Sequence, residues 1–295
     1  MNKLKLINYL VILLLIFILL NINKNLKCNK NKKYILHDGK NKVNSINVYG
    51  IFKNNEFYLK YLLLKLSIME QIYDVEFRYY FYENNSIDKT KKYLKDFFKN
   101  RKGKLYSVDF INDNNTRIER SNVKINFIKN LIKYRNFNLN MSRPITSDWN
   151  IIIDSDIYFD TDCLKHFFNI KPKLNNIGMM TPYTVDNNKW HYYDTYAFKD
   201  SDNEFVYPKC LFERCTKCKN KKIKINDEII KVNSSFGGFA VIDSEILRND
   251  KILWNISNKD QMCEHIGFCK NIKKYTNKKI VVCQNIIMFN VENKL

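Results

Sequence analysis

The spacing of apolar residues divides the chain into three parts. Leu6 to Ile22 is almost uninterrupted Leu, Ile and Val, which predicts a membrane-embedded helix near the lower length limit for a bilayer span. No small-x-small cleavage site follows it, so a retained signal anchor is favoured over a cleaved signal peptide. Residues 24–43 are rich in Lys and Asn without apolar periodicity, as in an exposed stem. We therefore predict an anchor at 1–23, a stem at 24–43 and a folded body at 44–295.

The body begins with alternating strands and helices. Ser45 to Phe52 is a predicted strand, Phe57 to Tyr73 carries apolar residues at helical spacing, and Val75 to Tyr82 is an aromatic run typical of a strand. The pattern continues with a helix at 88–100, a strand at 104–110, a helix at 123–134 and a strand at 149–153. Helices of ten or more residues between strands predict an α/β fold, with a mostly parallel sheet and helices on both faces.

Two acidic segments fall where predicted strands end. Ligands of such sheets bind beyond the carboxyl ends of the strands, and both Glu83-Asn84-Asn85 and Asp154-Ser155-Asp156 lie at such ends. The second follows a largely apolar strand, where two carboxylates one residue apart are tolerated when a hard cation such as Mn²⁺ or Mg²⁺ and phosphate oxygens balance their charge. An isolated Asp-x-Asp is an ordinary solvated turn. Its position after a β-α-β opening favours a metal site.

Five segments, taken in order, resemble the GT-A glycosyltransferases. They are Glu83 to Thr90, Asp154 to Asp156, Tyr192 to Asp200, Ser235 to Ala240 and Cys263 to His265. The set is most similar to the group of fungal capsule-associated α-1,3-mannosyltransferases and related proteins of large DNA viruses, over about residues 45 to 270. The resemblance implies a GT-A-like (Rossmann-like) domain, a nucleotide-sugar donor and sugar transfer. It also makes a viral origin an expectation.

The same resemblance implies contacts with the donor. Glu83, Asn85 and Asp88 would lie near its base and ribose, in the segment after the early strand. Arg135 follows the helix before the metal motif and would help to balance the charge of the departing diphosphate, although an exposed Arg at a helix end is an equally ordinary explanation. Gly237 and Gly238 have no Cβ and would let the backbone approach the ligand closely. Alternatively, the two glycines form a kink or bulge in a strand.

By the same analogy, the metal would be held by residues from two ends of the domain. Asp156 would coordinate it directly, Asp154 would contact the ribose or metal-bound water, and His265 would complete the shell. Two further carboxylates are candidates for catalysis. Asp194 lies in an aromatic run at 190–193 that could stack on sugars, and Glu264 could act as a general base or bind a sugar hydroxyl.

Charge and cysteines bear on the partners and the location. The net charge of +20 comes from Lys spread along the whole chain, so we expect no nucleic-acid partner, but an anionic donor or membrane surface would be attracted. Lysines after the anchor favour a cytosolic body by the positive-inside rule. The spacing of Cys263, Cys269 and Cys283 instead fits disulfides in a Golgi- or ER-type lumen, which we favour. The cysteines at 210, 215 and 218 fit either disulfides or zinc.

These patterns predict a membrane-anchored, metal-dependent glycosyltransferase. Its first expected donor is GDP-mannose and its second a UDP-sugar, with a hydroxyl of a glycan, glycoprotein or glycolipid as acceptor. One alternative is a metal-dependent nucleotidyltransferase or phosphohydrolase, but the sequence has no Gly-x-x-x-x-Gly-Lys loop. The other is a membrane-tethered glycan-binding protein with a dead site, against which the intact Asp154, Asp156 and His265 argue.

Overall fold

The computed structural model describes most of the predicted body. The described residues are 33–39, 41–108, 120–170, 175–186, 192–201, 229–256 and 263–291, with the side chains of 120–124 excepted. The predicted anchor, residues 190–191 and the cysteines at 210, 215 and 218 lie outside them. No helix within the described ranges has the length and apolar character needed to cross a membrane. A compact unit begins at Ile35 and contains every element described below.

The last residues of the predicted stem form part of this unit. Strand β1 (His37–Asp38) pairs antiparallel with β2 (Asn41–Lys42) in a small separate hairpin. Leu36 and Val43, on either side of the hairpin, are buried in a hydrophobic cluster with the strands that follow. The folded body therefore starts several residues before the predicted boundary at 44.

The first half of the body has the predicted order of elements. They are β3 (Ser45–Phe52), α1 (Glu56–Ile72), β4 (Glu76–Asn84), α2 (Thr90–Phe98), β5 (Gly103–Val108), α3 (Arg120–Met141) and β6 (Trp149–Ile153). β3 pairs in parallel with both β4 and β6, and β4 pairs in parallel with β5. The predicted α/β opening is confirmed here, although α3 continues to Met141, beyond its predicted end at Tyr134.

The second half makes the sheet mixed. Its elements are β7 (Ile157–Tyr158), α4 (Cys163–Ile170), β8 (Ile177–Asp186), β9 (Ile229–Val232), β10 (Phe239–Asp243), α5 (Ser244–Arg248), α6 (Glu264–Tyr275) and β11 (Lys279–Asn290). The sheet order is β5-β4-β3-β6-β10-β8-β11-β7, with β9 also on β11. β10 is antiparallel to both neighbours, and β11 is parallel only to β8 among its partners. The predicted mostly parallel sheet is confirmed only in part, because β7, β9 and β10 run against the other strands, and a buried apolar strand has the same sequence pattern in either direction.

Helices cover both faces of the sheet, as predicted. Ile151 and Ile153 of β6 belong to a hydrophobic cluster with α1, α2 and α4, whereas Ile152 belongs to a second cluster with α3, α5 and α6. This division follows from the alternation of side chains along a strand.

Strand directions bring several chain ends together. β3, β4, β6, β8 and β11 all run the same way, so their carboxyl ends lie at one edge of the sheet, which we call the carboxyl edge. The amino end of β10 lies there too. Both acidic segments and the Gly237-Gly238 pair are therefore located at the carboxyl edge.

Candidate active site

A glycine pair brings β10 against the Asp154 segment. The Asp154 N–H donates to the Gly238 carbonyl at 2.9 Å. Both glycines have left-handed backbones, with φ of +66° at Gly237 and +73° at Gly238. A Cβ at Gly238 would lie 2.4 Å from the Ile157 side chain, and one at Gly237 would lie 2.8 Å from Thr184 Oγ1. Because only glycine fits this turn, the pair shapes the loop. Its contact with a ligand stays a prediction.

The two carboxylates of the Asp-x-Asp motif are held from different sides. Asp156 Oδ2 accepts a hydrogen bond from Asn290 Nδ2 at 3.0 Å, and the Asp156 carbonyl accepts one from the Val291 N–H at 2.9 Å. Asp154 Oδ1 accepts a bond from Arg135 Nη2 at 3.3 Å, while 35 % of its side chain stays exposed. The motif is thus fixed between the end of β11 and helix α3, with Asp154 accessible from outside.

Arg135 is the buried centre of the charge cluster. Its Nε donates to Glu264 Oε1 at 2.9 Å, so the guanidinium bridges the metal motif and a residue 129 positions away in sequence. The Phe236 ring lies 5.2 Å from the guanidinium carbon. Arg135 therefore faces two carboxylates, those of Asp154 and Glu264, and its single charge balances only one of them when both are ionised. Asp156 adds its negative charge next to Asp154.

The surroundings of Asp154 raise the pKa of its carboxyl. Burial raises the pKa of this carboxyl to about 7, and Asp156 and Glu264 add to the shift, against the opposing pull of Arg135. At neutral pH the group therefore holds a proton for part of the time. A cation bound at the motif would displace that proton, since it favours the charged carboxylate.

Glu264 and His265 start helix α6 and face the same cluster. Burial opposes the ionisation of Glu264, whereas the adjacent Arg135 guanidinium and the backbone N–H of Glu264 favour its charged carboxylate. The amino end of α6 also favours a negative charge there. Burial lowers the pKa of His265 to about 3, so its ring is neutral. Glu264 is consequently the anion, and His265 an uncharged neighbour.

The surroundings of His265 determine which nitrogen carries its proton. Trp254 Nε1 donates to His265 Nδ1 at 3.5 Å, and the ring stacks on Phe236 with centroids 3.7 Å apart. A neutral ring whose Nδ1 accepts has its proton on Nε2. His265 Nε2 lies 3.3 Å from Glu264 Oε1 but is buried without a hydrogen bond. Metal binding through Nε2 would require the other tautomer and the loss of the Trp254 bond.

The motif itself fits a hard divalent cation. Asp154 and Asp156 offer carboxylate oxygens beside a surplus of negative charge, the ligands that Mn²⁺ and Mg²⁺ prefer. Within the described ranges, however, no group of three or more His, Cys, Asp or Glu side chains is close enough to hold one metal ion. The predicted three-residue shell of Asp154, Asp156 and His265 therefore stays a prediction.

Asp194 is attached to the same turn. Its Oδ2 accepts from the Gly237 N–H at 3.1 Å and its Oδ1 from the Ala197 N–H at 3.2 Å. Burial raises the pKa of this carboxyl to about 6, although both N–H groups favour the charged form. Gly238, the next residue after Gly237, bonds to Asp154, so the structure brings Asp194 to the metal motif through this turn.

The acidic segment after β4 is organised differently. Glu83 is fully buried and accepts hydrogen bonds from the Ser86 N–H and from Ser107 Oγ, both at 2.6 Å. Asp88 accepts from the N–H groups of Glu56 and Thr90, both at 2.9 Å. These carboxylates shape their own loops.

The turn between them is also a structural feature. Asn85 has a φ of +49°, a conformation that Asn adopts in turns. Contact of Glu83, Asn85 and Asp88 with a donor stays a prediction.

Several residues of the site were missed in the sequence. Asn136 binds the backbone of Trp254 twice, with both bonds at 2.9 Å, and so holds the 252–256 segment against α3. A Cβ at Gly267 would lie 2.0 Å from the Asn255 carbonyl, so only glycine lets α6 approach this segment. Asn290 was missed as well. No local pattern indicates these contacts, because they link distant parts of the chain.

The expected disulfides are not formed where the structure can test them. Cys263 and Cys269 are free and buried, as is Cys163, and Cys283 is buried too. They pack in the interior as small apolar side chains. The spacing misled because nearness in sequence does not bring two thiols within bonding distance.

Comparison with known proteins identifies the family. The family model described as "Cryptococcal mannosyltransferase 1" matches residues 76–274, more than half of the chain. No curated protein matches the chain.

Solved structures share the fold. S. aureus TarS has a TM-score of 0.52 at 15% identity, covering 84% of this chain and 37% of that one. S. aureus TarS 1-349 in complex with UDP-GlcNAc has a TM-score of 0.50 at 14% identity, covering 85% and 59%. Mannosyltransferase PcManGT from Pyrobaculum calidifontis, in complex with GDP-Man and Mn²⁺, has a TM-score of 0.50 at 12% identity, covering 94% and 65%. The chain thus spans less than two thirds of each of these proteins.

These findings confirm the resemblance drawn from the sequence. The mixed α/β sheet has the architecture of GT-A glycosyltransferases. The family match favours a glycosyltransferase over a nucleotidyltransferase or phosphohydrolase. The chain belongs to the cryptococcal mannosyltransferase 1 family and has the fold of the GT-A glycosyltransferases.

Proposed function

We propose that this protein is a divalent-metal-dependent mannosyltransferase that moves mannose from GDP-mannose to a hydroxyl of a glycan, glycoprotein or glycolipid. The observation that carries the proposal is the Arg135 bridge between Asp154 and Glu264, which leaves surplus negative charge beside Asp156 at the carboxyl edge. A nucleoside diphosphate with its divalent cation has the charges that complement this cluster. The mannosyl donor is supported by the family description and by the GDP-Man complex of PcManGT. A UDP-sugar is the second choice.

Each residue has a distinct part in this proposal. Bound Mn²⁺ or Mg²⁺ would neutralise charge on the departing diphosphate. Asp156 and Asp154 would hold that ion, and Arg135 would keep Asp154 and Glu264 in place by its two hydrogen bonds. The carboxyl of Asp194 has a pKa of about 6, so it is ionised at neutral pH. It would orient the acceptor hydroxyl and accept its proton. Glu264 is the second candidate for that role.

We also propose that residues 1–23 anchor the protein as a single membrane span, with the body in a Golgi- or ER-type lumen. The support is the apolar run in the sequence, which no small-x-small cleavage site follows. Attachment of glycans to its Asn-x-Ser/Thr triplets in cells would establish a lumenal body. A protein without such glycans and with every cysteine free would instead indicate the cytosol.

The enzymatic proposal is tested with full-length protein in detergent micelles. We expect release of GDP from GDP-mannose to require Mn²⁺ and to fall at least about a hundredfold in Asp156→Ala, the usual effect of removing a charge-stabilising group. Asp162→Ala is the matched control, because Asp162 is an exposed carboxylate just after the motif whose partner is His166. If every nucleotide sugar is left unchanged and none raises the melting temperature with Mn²⁺, the proposal is wrong.

A further inference from the structure

The segments after β3 and β4, together with the first residues of α1 and α2, are hydrogen-bonded to each other. We call the surface that they form the rim platform and define it as residues 53–57 and 85–90. Asn54 Oδ1 accepts from the Ile87 N–H at 2.9 Å, and the Asn55 N–H donates to Thr90 Oγ1 at 2.7 Å. The bond from the Glu56 N–H to Asp88 adds a third link. Because backbone groups of both loops are fixed in this way, the side chains between them are held in place.

The rim platform exposes two large apolar side chains to solvent. Ile87 is 92 % exposed and Phe57 is 73 % exposed, the highest values for large apolar residues in the described part of the chain. Single exposed apolar residues are common, but here one lies in the first turn of α1 and the other on the loop after β4, and these two segments are hydrogen-bonded to each other. Folding does not require this exposure, since neither side chain fills the core.

Lysines are frequent in the chain segments that carry these two side chains. The segments 53–60 and 85–95 contain six Lys and two acidic residues. The exposed lysines are Lys53, Lys60, Lys89, Lys92 and Lys95. Both acids, Glu56 and Asp88, are only partly exposed and accept hydrogen bonds from backbone N–H groups. The outer surface of this region is therefore positively charged.

We infer that the rim platform docks on an anionic lipid bilayer. Phe57 and Ile87 enter the boundary between headgroups and acyl chains, and the lysines meet the anionic headgroups, the combination by which interfacial segments bind membranes. Long lysine side chains also extend easily towards headgroups while their stems cover apolar surface. Charge complementarity selects an anionic bilayer over a neutral one.

Docking has a consequence for the reaction. The rim platform lies at the carboxyl edge of the sheet, as do Asp154 and Asp156. A docked domain therefore turns its site towards the bilayer and selects acceptors at the membrane surface, such as a lipid-linked glycan. This consequence rests on the proposed function, whereas the docking does not.

The test is hydrogen–deuterium exchange on the full-length protein in nanodiscs of neutral or anionic phospholipid. In anionic nanodiscs, amides of 53–60 and 85–92 should exchange at least about fivefold more slowly than in neutral ones. A change of this size is what the attraction of one lysine to an anionic surface would produce. High salt should abolish the difference. The double variant Phe57→Ser/Ile87→Ser should lose it, and Phe127→Ser should keep it, since Phe127 is 60 % exposed on α3 at the opposite face.

Three results would overturn the inference. The first is equal exchange in neutral and anionic nanodiscs. The second is protection that survives in the double variant. The third is protection of these segments by GDP-mannose with Mn²⁺ but not by anionic lipid, which would assign Phe57 and Ile87 to the donor site. GDP release from GDP-mannose, measured in micelles, reports on the proposed function separately.

Discussion

The segments at the carboxyl ends of β4 and β6 each carry two carboxylates, yet they use them in opposite ways. Glu83 and Asp88 accept hydrogen bonds from backbone N–H groups and hydroxyls of neighbouring loops. Asp154 instead faces another carboxylate and shares a single guanidinium with Glu264. In the first segment, neighbouring donors satisfy both carboxylates. The second segment carries negative charge that a cation can balance.

The difference separates a carboxylate whose charge its own loops stabilise from one whose charge burial and a second carboxylate oppose. Hydrogen bonds from N–H groups stabilise the ionised form of Asp88, and its pKa is lowered despite partial burial. At Asp154, burial and like charge raise the pKa to about 7. A raised pKa beside a second acid is typical of sites that bind cations or move protons.

The largest effect is expected from removing the shared cation. Arg135→Met keeps much of the volume but leaves Glu264 buried without its partner, so the free energy of unfolding should fall by about 3–5 kcal/mol. Denaturant unfolding measures this loss. Arg78→Met is the control, since the Arg78–Glu76 pair is more exposed, and it should cost about 1 kcal/mol or less. Equal losses in the two variants would show that Arg135 is not a buried charge centre.

A smaller effect is expected in the loop after β4. Asp88→Ala removes the acceptor for two backbone N–H groups and should lower the free energy of unfolding by about 1–2 kcal/mol. The loop contacts of Asp88 offer a structural role as the alternative to the donor contact predicted from the sequence, and if that role is the whole one, the kcat for GDP-mannose should stay within about threefold of the wild type. Thermal unfolding and steady-state kinetics measure the two quantities. A large fall in kcat with unchanged stability would make Asp88 a functional carboxylate and remove the contrast between the loops.

The smallest effect concerns pH. The folded-state pKa of Asp154, about 7, lies above the ordinary value of about 4, so between these pH values the folded protein holds a proton that the unfolded chain has released. The stabilising contribution of this proton is complete below pH 4 and is lost as the pH rises to 7. Asp194 acts in the same direction up to about pH 6. His265 acts in the opposite direction below about pH 6.5, because its pKa is lowered.

A difference measurement isolates Asp154 from these other groups. The melting temperature of the metal-free wild type should fall relative to that of Asp154→Asn between pH 4 and 7, and the difference should be constant above about pH 8. Saturating Mn²⁺ should remove the fall, since the ion takes the place of the proton. Parallel melting curves for the two proteins at every pH would contradict the raised pKa.

The sequence predicted the local parts of this site and missed the long-range ones. The strand Trp149–Ile153 and the motif after it were placed correctly, because a short apolar run with two following carboxylates is a local pattern. The Arg135–Glu264 bridge was missed because it joins residues 129 positions apart. The antiparallel β10 was missed because periodicity carries no strand direction. Arg135 itself was found, but as a donor contact.

The contrast between the two acidic loops is the central claim, and binding of GDP with Mn²⁺ tests it most directly. Calorimetric titration of the full-length protein should show GDP binding that requires Mn²⁺, is at least about a hundredfold weaker in Asp156→Asn, and is within about threefold of the wild type in Asp88→Asn. Binding that persists in a chelator, or that weakens as much in Asp88→Asn as in Asp156→Asn, would contradict the account.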